Sequence, residues 1–287
     1  MADQSSRSVQ EAIDHCERLT RAHYENFPVA SRLLPARVRP AIFSIYAFAR
    51  TADDFADEGE VTKEERLARL DEWGGKLKKC YRGAATDPIF IALAETVASR
   101  GIPSKPLEDL LAAFRMDVTK SRYNTFDEVQ YYCAHSANPV GRLILQIFGY
   151  VNEENVARSD EFCTALQLAN FWQDVSIDAR KSRVYIPLDD ISRFGYTETE
   201  LFARVFNERF RELMKFQVER TEAMLQRAKP LVSKVGRDLR LELGLTWNGG
   251  MTILNKIRRL NYEVLSHRPS ITKLDAVPLF LKSILGL

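Results

Sequence analysis

The sequence predicts an all-α fold, and two observations carry that expectation. Apolar residues recur at spacings of three and four, as in Ile42, Ile45, Tyr46 and Ala49, and again in Leu107, Leu110, Leu111 and Phe114. Alternating strand-like runs bounded by hairpin turns are missing. Helix boundaries are also marked. Thr62-Lys63-Glu64-Glu65 reads as a capping box, in which residues 62 and 65 satisfy each other's backbone N–H groups. Pro88, after Thr86-Asp87, suits a first turn, where its missing N–H does no harm. Gly101-Ile102-Pro103 stops one helix and Ser104-Lys105-Pro106 starts the next.

The pattern predicts helices near 8–26, 38–57, 63–81, 87–100, 105–118, 125–148, 152–179, 197–232, 235–265 and 273–285. One long stretch, about 180–196, is expected to be irregular around Arg183-Val184-Tyr185-Ile186-Pro187. Neither a Ser/Gly/Pro linker nor a repeat divides the chain, so one helical domain over 1–287 is expected.

Composition narrows the function classes. Hydrophobic residues make up 45% of the chain, enough to fill a substantial core. Lys+Arg total 41 against Asp+Glu 39, so the basic excess of a nucleic-acid binder is missing and no nucleic-acid partner is expected. Cys16, Cys80, Cys133 and Cys163 form no Cys-x-x-Cys pair, which argues for small core residues rather than a disulfide frame or zinc site. No signal-peptide h-region and no membrane-length apolar run is visible, so a cytoplasmic location is expected. The apolar segment Val277–Leu285 is read as a helix docked on the domain. Its sharper reading is peripheral contact with the inner face of the membrane.

Two acidic patterns carry chemistry. In Arg50-Thr51-Ala52-Asp53-Asp54-Phe55-Ala56-Asp57, Asp53 and Asp57 share one helical face, with Arg50 close to it. In Gln167-Leu168-Ala169-Asn170-Phe171-Trp172-Gln173-Asp174-Val175-Ser176-Ile177-Asp178, the side chains of Asn170, Asp174 and Asp178 line one stripe, with Gln167 one turn earlier. Such a polar stripe on an apolar helix is costly to bury without a partner. Hard oxygen ligands on two helices suit Mg²⁺, which bridges carboxylates to substrate phosphates. Two or three ions would neutralise a diphosphate and make it a leaving group.

These residues resemble the squalene/phytoene synthase family of head-to-head prenyl-coupling enzymes. The resemblance rests on Phe27 to Pro35, Arg39 to Asp57, Tyr123 to Gly149 and Gln167 to Pro187, in that order and spacing. It implies a single-domain isoprenoid-synthase helical fold with a central cavity. Asp53, Asp57, Asp174 and Asp178 would then face a Mg²⁺–diphosphate cluster, supported by Asn170 and Gln167. Arg50 would contact phosphate, and Arg183 and Tyr185 would sit on a flap over the site. His23 and Phe27 would line the cavity, and Tyr132 would lie near the cationic centre. Tyr46 and Tyr132 suit that role because aromatic faces attract cations.

Three departures from the family pattern stand out. Gln173 replaces the arginine of Asn-x-x-Arg-Asp, Glu25 stands where some relatives carry lysine, and Ala137-Asn138-Pro139-Val140-Gly141 replaces Ala-Gly-Thr-Val-Gly. Each charge-assisted phosphate contact is worth roughly 1.5–3 kcal/mol, so two lost cations argue against handling two diphosphates at once. Trp247-Asn248-Gly249-Gly250 is read as opening a wetter cavity.

The set is most similar to the bacterial hydroxysqualene synthases of hopanoid and squalene biosynthesis. That likeness implies conversion of presqualene diphosphate to hydroxysqualene, with a sister presqualene diphosphate synthase upstream and a flavin-dependent dehydroxylase downstream. No Gly-x-Gly-x-x-Gly is present, and the resemblance itself implies no NADPH. Asn138, Ser136, Gln173 and His135 are the candidates for positioning the attacking water. Two alternatives stay open: a complete squalene, dehydrosqualene or phytoene synthase, and a non-catalytic helical assembly protein.

Overall fold

Proline, capping side chains and apolar spacing set the helices where the sequence places most of them. The computed structural model describes residues 2–22 and 34–272, and beyond them Asp275, Leu279 and Ser283. Thirteen α-helices are found among the described residues: α1 (Ala2–Ala22), α2 (Arg39–Asp57), α3 (Lys63–Tyr81), α4 (Pro88–Arg100), α5 (Lys105–Thr119), α6 (Phe126–Ser136), α7 (Asn138–Phe148), α8 (Glu153–Arg180), α9 (Leu188–Arg193), α10 (Glu198–Phe202), α11 (Glu208–Ala228), α12 (Pro230–Lys234) and α13 (Arg237–Arg259). The capping box at Thr62 and Glu65 is present, Asp87 caps the helix that Pro88 opens, and Gly101 ends it with a left-handed φ of 60°. An all-α fold is the result.

The sequence expectation needs correction in three places. The helix expected over 125–148 is two, because Pro139 follows the cap of α6 at Ala137 and has no N–H to continue the ladder. The helix expected over 197–232 is three. Thr197 caps α10, Asn207 restarts the chain as the cap of α11 after Arg204 turns with a φ of 54°, and Pro230 opens α12. The irregular stretch holds a short helix, α9, entered from Pro187.

The described helices group into two compact units, Met1–Thr119 with Pro139–Val151, and Lys120–Asn138 with Asn152–Leu287. In the first, α2 turns Ala41, Phe48, Ala52 and Ala56 into the core. Trp73 of α3 packs edge-on to Phe90 of α4 at 4.6 Å between centroids, and its indole N–H donates to the Phe48 carbonyl at 3.3 Å. Arg66 of α3 donates to the carbonyls of Phe55, Glu58 and Gly59, which ties off the end of α2. The acidic face of α2 is thereby left off the core.

The second unit is built on α8, whose Leu168, Trp172 and Val175 are buried. Trp172 is fully buried, and its indole N–H donates to Thr221 Oγ1 of α11 at 2.7 Å. Truncating such a side chain costs about 3–5 kcal/mol. Gly250 of α13 lets that helix close on the same core, since an added Cβ would stand 2.9 Å from Leu166 Cδ2 and 3.3 Å from Leu225 Cδ1. Trp247 is buried with its N–H on the Leu225 carbonyl, and Asn248 is buried and donates to Gly244 and Ser283. The wetter cavity expected from Trp247-Asn248-Gly249-Gly250 is therefore corrected at three of its four positions: they are packing and docking residues. Ser283 is buried against α13, which agrees with the docked reading at that residue, while most of Val277–Leu285 lies outside the described residues.

Candidate active site

Each unit carries one acidic helix. On α2, Arg50 stands among carboxylates. Its Nη2 meets Asp54 Oδ1 at 2.6 Å and Glu58 Oε1 at 2.7 Å, and its Nη1 reaches Asp53 Oδ2 at 3.4 Å. Burial pushes the guanidinium down, but Asp54, Asp53 and Glu58 outweigh it and hold Arg50 above its ordinary pKa. Tyr46, one turn earlier, is raised by burial and by Asp53 and Asp54, against the pull of Arg50. Asp57 is exposed at the end of the helix. Arg50, Asp53 and Tyr46 are thus one electrostatic group, with Asp54 and Glu58 added to what the sequence predicted.

On α8, Asn170 Nδ2 donates to Asp174 Oδ2 at 2.7 Å. Arg268, from the segment after α13, donates to the same carboxylate: Nε to Oδ1 at 2.5 Å and Nη2 to Oδ2 at 3.2 Å. Its pKa is raised by that hydrogen bond and by the charges of Asp174 and Asp178, burial opposing. Gln173 Nε2 donates to the carbonyl of the next residue, Pro269, at 2.6 Å. Gln167 is half-buried one turn before Asn170. Sequence reasoning missed Arg268. The signal was faint, a lone arginine in Ser-His-Arg-Pro beyond the last long helix.

The chain after α8 turns back through Ser182, with a φ of 57°. It then pairs with residues 121–124: Val184 N–H donates to the Ser121 carbonyl at 2.9 Å, and Leu188 N–H to the Tyr123 carbonyl at 2.9 Å. This pairing lays Tyr185 flat on Phe171, with centroids 3.8 Å apart and planes within 5°. Tyr132 of α6 joins at 5.7 Å from Tyr185 and 6.0 Å from Phe171, and Tyr123 at 5.6 Å from Tyr185. Asp178, Arg183 and Tyr185 border one small pocket with Phe171. The segment that holds Arg183 and Tyr185 is thus tied by backbone hydrogen bonds and stacks on an aromatic cluster.

Other expected residues fall elsewhere. Asn138 is buried and accepts from Thr164 Oγ1 at 2.8 Å, beside a separate open groove that also takes in Arg220 and Arg227. His23, Glu25 and Phe27 lie outside the described residues. Among the described residues no group of three or more His, Cys, Asp and Glu stands ready-made for a metal. The donor set still fits Mg²⁺: the hard carboxylate oxygens of Asp174 are engaged by Arg268 and Asn170, partners that a cation can exchange for. Among the described residues no helix is long and apolar enough to cross a membrane.

The all-α fold is that of the isoprenoid synthases. The chain belongs to the squalene/phytoene synthase family, whose sequence pattern matches residues 20–275. It is similar to the squalene synthase HpnC from Alicyclobacillus acidocaldarius, with 39% identity and a TM-score of 0.85, over 88% of this chain and 95% of that one. A dehydrosqualene synthase crystallised with a ligand, 22% identical, shares the fold with a TM-score of 0.86 over 98% of both chains. Among curated proteins, the phytoene synthase of Arthrospira platensis is 31% identical over 94% of this chain and 92% of its own. The family's enzymes act on prenyl diphosphates with divalent metal.

Proposed function

We propose that this protein converts presqualene diphosphate and water to hydroxysqualene and diphosphate. In this reading Asp53, Asp57, Asp174 and Asp178, with Asn170, hold two or three Mg²⁺ ions. Bound Mg²⁺ supplies Lewis-acid neutralisation of the leaving diphosphate. Arg50 and Arg183 contact phosphate, and Arg268 exchanges its hold on Asp174 for the substrate. Tyr132, Tyr185 and Phe171 offer aromatic faces to the cation as it rearranges, and their packing excludes bulk water. NADPH takes no part. The substrate comes from a prenyl-coupling enzyme and the product goes to a flavin-dependent one, with the chain acting as one functional domain.

The observation that carries this reading is Gln173. Its amide donates to the Pro269 carbonyl and is uncharged, so the position supplies no cation for a second diphosphate. The 39% identity to the squalene synthase HpnC supports a C30 isoprenoid as the chain handled. A second reading, a complete prenyl-coupling synthase, is favoured by the likeness to phytoene synthases and by Arg268, which returns a cation to the stripe.

Purified protein with Mg²⁺ and without NADPH separates the two. Parallel reactions receive presqualene diphosphate, farnesyl diphosphate or geranylgeranyl diphosphate. Hydroxysqualene from presqualene diphosphate alone is the expected result. A C30 or C40 product from either shorter substrate overturns the reading in favour of the coupling enzyme.

A further inference from the structure

Ser136 closes α6 one helical turn beyond Tyr132, so the two side chains share a face. Tyr132 is buried in the aromatic cluster with Phe171 and Tyr185. The Ser136 Oγ is shut off from solvent, yet it has no hydrogen-bond partner among the described residues. A buried hydroxyl left in that state is costly, and native proteins seldom retain one without a use. It lies just before the helix break that Pro139 imposes.

Each of the other polar groups that the sequence offered for holding water makes at least one hydrogen bond. His135 Nδ1 is 2.8 Å from the Tyr131 carbonyl and its ring lies against Tyr131, which is exposed. Asn138 Oδ1 accepts from Thr164, and Gln173 Nε2 donates to Pro269. Among these four, Ser136 alone presents a buried polar atom with no hydrogen-bond partner, and it does so beside an aromatic ring assigned to the cation.

We propose that Ser136 Oγ positions the water that captures the final cation; this rests on the hydroxysqualene reading above and names the residue that makes the product an alcohol. The water donates one hydrogen bond to Ser136 Oγ and turns a lone pair toward the cationic carbon. A C–O bond forms, and the proton lost from the resulting oxonium passes to the diphosphate released earlier in the same turnover. Nothing is oxidised or reduced. Without the hydroxyl the cation loses a proton from a neighbouring carbon instead, and a C30 alkene leaves.

The test compares wild type, Ser136→Ala and Ser136→Thr on presqualene diphosphate with Mg²⁺, reading diphosphate release and the alcohol-to-alkene ratio together. Ser136→Ala is expected to release diphosphate within about threefold of wild type while its alcohol-to-alkene ratio falls at least tenfold. Ser136→Thr, which restores a hydroxyl, is expected to keep the alcohol and covers the case in which the alanine variant does not fold. An unchanged ratio in Ser136→Ala overturns this assignment and leaves the hydroxysqualene reading standing. A wild type that makes no alcohol from presqualene diphosphate overturns both.

Discussion

Arg268 holds both carboxylate oxygens of Asp174 across 94 residues of chain, while Gln173, the neighbour of Asp174, holds the carbonyl of Pro269. Two adjacent residues of α8 therefore clasp two adjacent residues of the segment beyond α13. The arginine missing at position 173 is answered by one from another part of the chain, and the like charges of Asp174 and Asp178 are relieved by it.

Arg268→Ala is expected to lower kcat/KM about 10- to 100-fold, the range of a lost charge-assisted hydrogen bond. Arg268→Lys recovers only part of this, because lysine has no planar fork for a carboxylate or phosphate. Steady-state diphosphate release checks both, and unchanged kinetics in the alanine variant would reduce the pair to a structural contact.

Asp53→Asn and Asp174→Asn are each expected to cut Mg²⁺-dependent diphosphate release by at least about a hundredfold, since metal-assisted charge stabilisation is worth several kcal/mol. Rates measured across a Mg²⁺ series decide this. Release that persists unchanged in both variants would remove the metal site from α2 and α8.

Glu242 of α13 has Oε2 buried without a hydrogen-bond partner, and burial raises its pKa from 4.5 to about 7. The folded chain therefore holds a proton there that the unfolded chain loses above about pH 4.5. The penalty is nil below that pH, grows as pH rises toward about 7, and is constant above. Glu242→Gln removes it, so the variant should gain about 2–3 kcal/mol over wild type at pH 8 and little at pH 4.5. Urea unfolding of both proteins at the two pH values measures the difference, and equal gains at both would exclude the buried acid as its source.

Cysteine reactivity is the fourth expectation. Cys16, Cys80 and Cys133 are buried, and burial pushes their thiols up to about 12, 11 and 12. Thiolate is the reactive form, so these three should label only on unfolding, with half-buried Cys163 modified first. Mass spectrometry of the native protein after brief alkylation reads the order directly.

Much of the fold was legible because a helix is a local object. The spacing that buries Phe48, Ala52 and Ala56 is the same spacing that leaves Asp53 and Asp57 together on another face. Caps at Thr62 and Asp87 act on N–H groups two or three residues away, so their positions follow from sequence alone. The breaks at Pro139 and Asn207 were written in the same residues but were outweighed by continuous apolar periodicity on both sides.

The sequence by itself determined the all-helical class, the two acidic stripes and the absence of a cation at Gln173, all through interactions within a few residues. Only the tertiary structure decided that Arg268 reaches Asp174, that Tyr185 lies flat on Phe171, and that Gly250 is a packing glycine. The physical reason is that a contact between distant segments depends on how whole helices close on one another, and no local periodicity encodes which side chain arrives opposite which.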